Sequence, residues 1–175
     1  IEQVNAKNVI ILPNNKNIFM AAQSATEVVD VNAAVVETRT VPQGFRSLLA
    51  FDPNQSIEAN VEAMTVSLSD VTSGSVTLAV RDTTIDGLEI HENDNLGMVD
   101  GKILVSTPDM DQALLDTFDK MIDEDSEIVM IYVGEEGNQE QAQALAEKLE
   151  EAHEDIEVEI FQGDQPVYPY LFSVE

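Results

Sequence analysis

Residues 9–12, Val-Ile-Ile-Leu, are apolar without interruption, the pattern of a strand covered on both faces by helices. Pro13 cannot donate to a sheet ladder and ends the strand. Asn14, Asn15 and Asn17 follow before Ile18, Phe19, Ala22 and Ala25 resume at helical spacing, so the pattern predicts strand, polar loop, helix. In an open α/β sheet such a loop lies at the carboxyl end of the strand, where ligands bind and exposed amide N–H groups attract anions. Asn14, Asn15 and Asn17 are therefore a candidate ligand loop, although asparagines also suit helix capping and left-handed turns.

Residues 33–36 read as a second short strand, 40–44 as a turn, and Phe45, Leu48, Leu49 and Phe51 as a helical stretch. From Ser56 onward, Ile57, Val61, Met64 and Leu68 recur every three or four positions, predicting an amphipathic helix. Residues 1–72 thus form a first lobe, a parallel α/β layer in which two strands are visible although a stable sheet needs more. Ile1 and Val4 look like the last apolar positions of a helix already under way, so we expect a fragment of a longer polypeptide.

Ser73-Gly74-Ser75 reads as a hinge into a second lobe, residues 73–175. Val76, Leu78 and Val80 alternate with Thr77 and Ala79 as in a half-buried strand, and residues 88–90 give a short continuation. The apolar runs 95–99 and 102–105 flank Asp100-Gly101, a strong hairpin signal because both central residues of a type I′ turn need positive φ. Thr107-Pro108 suits the N-cap and first position of a helix, with Asp109 and Asp111 in the first turn and Met110, Leu114, Leu115, Phe118, Met121 and Ile122 inward. Residues 128–133 form a buried strand, 134–137 a turn, and Ala142, Leu145, Leu149 and Ala152 the inner face of a helix. Ile156, Val158 and Ile160 alternate with acidic and aromatic neighbours as in a strand with one solvated side, and a last strand closes the tail. The second lobe is a mixed sheet with helices on one face, and the fold class is α/β in two lobes.

Charge changes this picture. The chain carries 34 acidic and 8 basic side chains, net −26. Residues 1–84 hold 9 acidic and 5 basic, net −4, whereas residues 85–175 hold 25 and 3, net −22. Such a field repels phosphate backbones and anionic membranes and favours a basic protein partner. No apolar run is long enough to span a bilayer, so stable membrane insertion and nucleic acid are both excluded as expectations. The absence of cysteine removes disulfides, thiolate metal sites and cysteine nucleophiles, and fits a cytoplasmic location. His91 and His153 lie far apart, so no metal site is expected. Phosphate-binding glycine loops and the Gly-x-Ser-x-Gly elbow are missing, and carboxylates are too abundant for any pair to mark acid/base catalysis. No catalytic residue is assigned.

Four segments carry a resemblance: Gly-Asp-Gln-Pro-Val-Tyr-Pro-Tyr-Leu at 163–171, Ile-Leu-Pro-Asn-Asn-Lys-Asn-Ile at 11–18, Asp-Gly-Leu-Glu-Ile at 86–90 and Leu-Gly-Met-Val-Asp-Gly-Lys-Ile at 96–103. From Asn8 onward the chain resembles the carboxyl-terminal domain of FakA, the catalytic component of fatty acid kinase, in the YloV-type proteins with a dihydroxyacetone-kinase-like domain. The resemblance implies a DegV-like fold. It places ATP and Mg in a kinase domain elsewhere in the parent, with no cofactor in this part. It also implies that the chain neighbours other domains of that parent and recruits FakB, a fatty-acid-binding protein of the DegV type whose acyl carboxylate is phosphorylated. The family's Gly-Gly-Gln-Thr-Met-Asn-Pro-Ser segment, expected just before Ile1, is absent. On this reading Asp109, Asp111, Glu135 and Glu136, at the predicted tops of second-lobe elements, are the first candidates for a docking surface. The alternative is a small-ligand domain whose Asn14, Asn15 and Asn17 loop holds an anion or acyl carboxylate.

Overall fold

The apolar run that opens the chain becomes β1 (Asn8–Ile11), paired in parallel with β2 (Asn32–Val35) through α1 (Phe19–Glu27), in a computed structural model that describes residues 1–175. Contacts divide the chain into two compact units, Ile1–Val71 and Thr72–Glu175. In the first, the register Asn8↔Asn32 is marked by an amide pair, Asn32 Nδ2 donating to Asn8 Oδ1 at 2.9 Å. Two further helices, α2 (Val41–Leu49) and α3 (Ile57–Val66), complete this unit's regular structure before a 3-10 turn at Ser67–Asp70.

The expected turn at 40–44 is instead the start of α2. Thr40 caps it, its Oγ1 accepting from the Gln43 N–H at 3.2 Å, while Gln43 Oε1 accepts from the Arg39 N–H at 2.8 Å. This reciprocal arrangement supplies the helix start, and Pro42, placed in the first turn, loses no hydrogen bond there. Ser56 caps α3 in the same way, Oγ accepting from Ala59 N–H at 3.2 Å.

The second unit is built on a six-stranded sheet. Its strands are β3 (Thr72–Leu78), β6 (Asn95–Val99), β7 (Lys102–Thr107), β8 (Ile128–Val133), β9 (Glu157–Gln162) and β10 (Tyr170–Val174). Between β3 and β6 a separate ribbon, β4 (Thr83–Ile85) and β5 (Leu88–Ile90), covers a small cluster of Ala79, Ile90 and Leu96. The sheet order is β7-β6-β3-β10-β8-β9, antiparallel except for the parallel edge pair β8 and β9. Asp100 and Gly101 at φ +48° and +79° make the expected hairpin between β6 and β7. Helices α4 (Met110–Phe118) and α5 (Gln139–Ala152) share one core with the sheet.

Two expectations are corrected here. Ser73-Gly74-Ser75 is no hinge but the buried middle of β3. A Cβ at Gly74 would stand 2.3 Å from Met121 Sδ and 3.0 Å from the Phe172 ring, so the small residues mark close approach rather than freedom. The cap of α4 is Asp109, not Thr107, because Asp109 Oδ1 accepts from Gln112 N–H at 2.9 Å.

The core centres on Phe118 and Phe172, both fully buried, with ring centroids 4.6 Å apart and planes tilted by 58°. The Tyr170 ring lies nearly parallel to that of Phe172, with centroids 6.3 Å apart. Replacing Phe172 with Ala removes a ring shared by β10, α4 and the Met121 side chain, and is expected to cost about 3–5 kcal/mol. A urea melt of the variant should show the loss as a lowered midpoint with an unchanged slope.

Candidate functional site

β3, β7, β8 and β9 run in one direction, since each antiparallel step from β7 through β6, β3 and β10 to β8 reverses the strand and the β8–β9 pair keeps it. Their carboxyl ends therefore share one end of the sheet, where loops 79–82, 108–109, 134–138 and 163–169 gather. Ligands and partners of open sheets commonly meet the chain at this end.

All four acidic candidates lie there. Asp109 is committed to capping α4, and Asp111 occupies its first turn. Asp111 Oδ1 accepts from Gln141 Nε2 at 2.5 Å, which ties the start of α4 to the start of α5. Asn138 caps α5, its Oδ1 accepting from Gln141 N–H at 3.0 Å. Glu135 and Glu136 belong to the turn just before it. Helix-start dipoles favour these carboxylates, so the fold can hold the negative charge together at little cost. A cavity of about 380 Å³ between the two helices is lined by Asp111, Leu114, Asn138, Gln141, Leu145 and Lys148, and its walls carry no histidine, serine, threonine or cysteine.

Sequence reasoning missed the residues that hold this end together. Tyr170 is buried, and its hydroxyl accepts from the Asn138 N–H at 2.9 Å and donates to Gln141 Oε1 at 2.6 Å. Burial pushes the Tyr170 phenol above its ordinary pKa. Gln165 clamps loop 163–169: its Nε2 donates to the carbonyls of Tyr132 at 3.0 Å and Tyr168 at 3.2 Å, while its backbone carbonyl accepts from Glu135 N–H at 3.0 Å. Gly134 makes the contact possible, because a Cβ there would lie 2.2 Å from the Tyr168 carbonyl oxygen. Only the tail motif itself was visible in sequence; its partners lie about thirty residues upstream.

Asp94, at the same end, is buried and accepts from Ser106 Oγ at 2.8 Å and from His91 N–H at 3.1 Å. The Ser106 hydroxyl and then the His91 amide hold its carboxyl below the usual aspartate range. His91 contributes its backbone, and its ring stays exposed 3.9 Å from Asp82. His153 is the residue that ends α5.

In the first unit the asparagine loop divides by role. Asn15 Oδ1 accepts from Asn17 N–H at 2.9 Å, a capping contact that leaves Asn17 exposed. Asn14 adopts φ +55° and donates its N–H to the buried Thr38 Oγ1 at 3.0 Å; its side chain lies against Gly44. A separate cavity of about 560 Å³ has Lys7 at its wall and Ile10, Leu12, Phe51, Ile57 and Met64 as apolar lining. No group of three or more metal-binding side chains is placed to hold an ion, and no helix is long and apolar enough to cross a membrane.

Comparison with known proteins follows the same division between fold and site. Residues 1–175 match the FakA-like C-terminal family of fatty acid kinase proteins. Protein YloV of Bacillus subtilis is 46% identical over 175 residues, and an uncharacterised protein of Staphylococcus aureus (strain USA300) is 42% identical; both alignments take all of this chain and 32% of the relative. The chain thus spans about a third of the length of these relatives. Among solved structures, the DegV family protein Cg2579 of Corynebacterium glutamicum superposes with a TM-score of 0.68 at 18% identity, covering 99% of this chain and 75% of that one. The Streptococcus pneumoniae fatty acid kinase B3 protein, loaded with linoleic acid, gives 0.67 at 15% identity, with 97% and 72% covered. The fold is therefore DegV-like.

Two measurements check the network. Tyr170→Phe removes the hydroxyl that accepts from Asn138 N–H and donates to Gln141 Oε1 at the start of α5, and is expected to cost about 1 kcal/mol in a urea melt, the net worth of a part-buried hydrogen bond. Ser106→Ala is expected to raise the Asp94 pKa in a carboxyl NMR titration. A depressed folded pKa adds stability above the unfolded value and loses it as pH falls through the folded one. The stability gap between wild type and Ser106→Ala should therefore be widest near neutral pH and narrow in acid.

Proposed function

Because the chain belongs to the FakA-like C-terminal family of fatty acid kinase proteins, we propose that it is a non-catalytic module that recruits the fatty-acid-binding protein, FakB, to a kinase domain elsewhere in the parent. The family match over the whole chain carries this reading. ATP and Mg would belong to that other domain, and phosphorylation of the bound acyl carboxylate would take place there. Two features of the second unit support a docking role. Its net charge of −22, from 26 acidic and 4 basic side chains in residues 72–175, would speed encounter with a basic face. The cavity between α4 and α5 presents carboxylates, Asp111 and Glu140, toward a partner, with Asp111 already held by Gln141. Among the four acidic candidates, Glu135 and Glu136 are the best placed to face a partner, while Asp109 is occupied as a cap and Asp111 by Gln141.

A second reading, binding of an acyl carboxylate or other anion by the first unit, is favoured by the apolar cavity with Lys7 at its wall. The Asn14, Asn15 and Asn17 loop would serve the same ligand class.

Calorimetric titration of the chain with lipid-loaded FakB should give saturable binding that weakens several-fold between low and moderate salt, as exposed charges are screened. Affinity unchanged by salt would remove the steering role. Absence of binding at either salt, together with a melting temperature that climbs with free fatty acid, would favour the second reading instead.

A further inference from the structure

Seven residues other than glycine have positive φ; six are Asn or Asp, which tolerate it, and the seventh is Val167 at +74°. The Tyr168 N–H donates to the Pro166 carbonyl at 2.9 Å, so Val167 is the centre of a γ-turn of the rare, strained kind with positive φ. A β-branched side chain is the worst suited to that position, and here it is also 66% exposed. It therefore fills no core space that could explain its choice.

The surroundings impose the turn. On either side of Val167, Gln165 bonds to Tyr132 and Tyr168, and the Pro169 carbonyl accepts from Gly134 N–H at 2.8 Å. The Val167 carbonyl itself accepts from Thr77 Oγ1 at 3.1 Å. Strain that neighbouring contacts over-determine, at a surface, is characteristic of places that bind.

The Thr77 bond sets the Val167 backbone at the carboxyl end of β3, and Leu78, 46% exposed, and Val80, 86% exposed, follow Thr77 in the chain at that same end of the sheet. Around this apolar tip the same end of the sheet carries the carboxylates Asp82, Glu92, Glu135, Glu136 and Asp164, and Arg81 as their near neighbour in sequence. A second copy of the chain, with its own −26, would meet like charge here, and so would an anionic lipid surface.

We propose that Val167, Leu78 and Val80 form the apolar centre of the docking surface, displayed by the strained turn, and that their occupant is a protein with an apolar cleft rimmed by lysine and arginine. An apolar anchor inside a charged rim is the usual anatomy of a protein interface. This inference rests on the recruitment reading above.

The test uses the full-length parent kinase and lipid-loaded FakB in calorimetry, with thermal melts of each variant. Val167→Gly is expected to weaken binding by about tenfold or more. Its melting temperature should stay level or rise, because glycine accepts positive φ freely. Val80→Ser should weaken binding in the same direction, whereas Leu49→Ser, at a 70% exposed apolar position of the first unit, should leave it within about twofold. Wild-type binding with Val167→Gly and Val80→Ser both within about twofold of it would overturn this surface while leaving recruitment intact. So would loss of binding confined to Leu49→Ser. A wild-type kinase that does not bind FakB would overturn recruitment and this surface together.

Discussion

The second unit depends on one insertion. β10 hydrogen-bonds antiparallel to β3 on one side and to β8 on the other, so it alone joins β3, β6 and β7 to β8 and β9. It also delivers Phe172 to Phe118 in the core and the Tyr170 hydroxyl to the start of α5. Sheet continuity, core packing and the geometry of the acidic end therefore share five residues. Their placement explains why a tail rich in proline and tyrosine is so tightly specified: Pro166 and Pro169 bracket the turn, and Tyr170 enters the sheet immediately after it.

The DegV-like fold and the FakA-like family give different kinds of information. Structural likeness at 15–18% identity establishes architecture, and one fold can carry several roles. What the chain does has to be argued from its surface, and the surface of the second unit is dominated by carboxylates, a few of which, such as Asp109, Asp111 and Glu140, sit at helix starts. The two units also differ in how they bury apolar side chains. The second has a large continuous core, while the first exposes Met20, Val28, Leu49 and Val66 by 66–85% and buries few large residues completely.

Much of the fold could be read from local pattern. The strand of β1, the Asp100-Gly101 hairpin and the inward positions Ala142, Leu145 and Leu149 of α5 follow from local pattern and stand in the structure, whereas Ala152, expected inward, is exposed. The failures come from tertiary context. Gly74 resembled a hinge because its reason, the Met121 sulfur and the Phe172 ring, comes from helix and strand far along the chain. Residues 40–44 resembled a turn because proline and glycine outweighed the Thr40 and Gln43 capping pair. At the acidic end Asp109 and Asp111 were legible as helix-start residues and Glu135 and Glu136 as part of a turn, but the roles of Tyr170 and Gln165 were not legible, since their partners lie 29–33 residues away.

The central position of β10 has a consequence for the chain while it is being made. Until residues 170–174 are available, β3 and β8 each present an unpaired edge that will later lie in the middle of the sheet, and such edges are templates for pairing with other chains. The incomplete domain already carries nearly all of its carboxylates at that stage, since only Glu175 of the acidic residues lies beyond position 164. Like charge of this density opposes pairing of those open edges between copies of the chain.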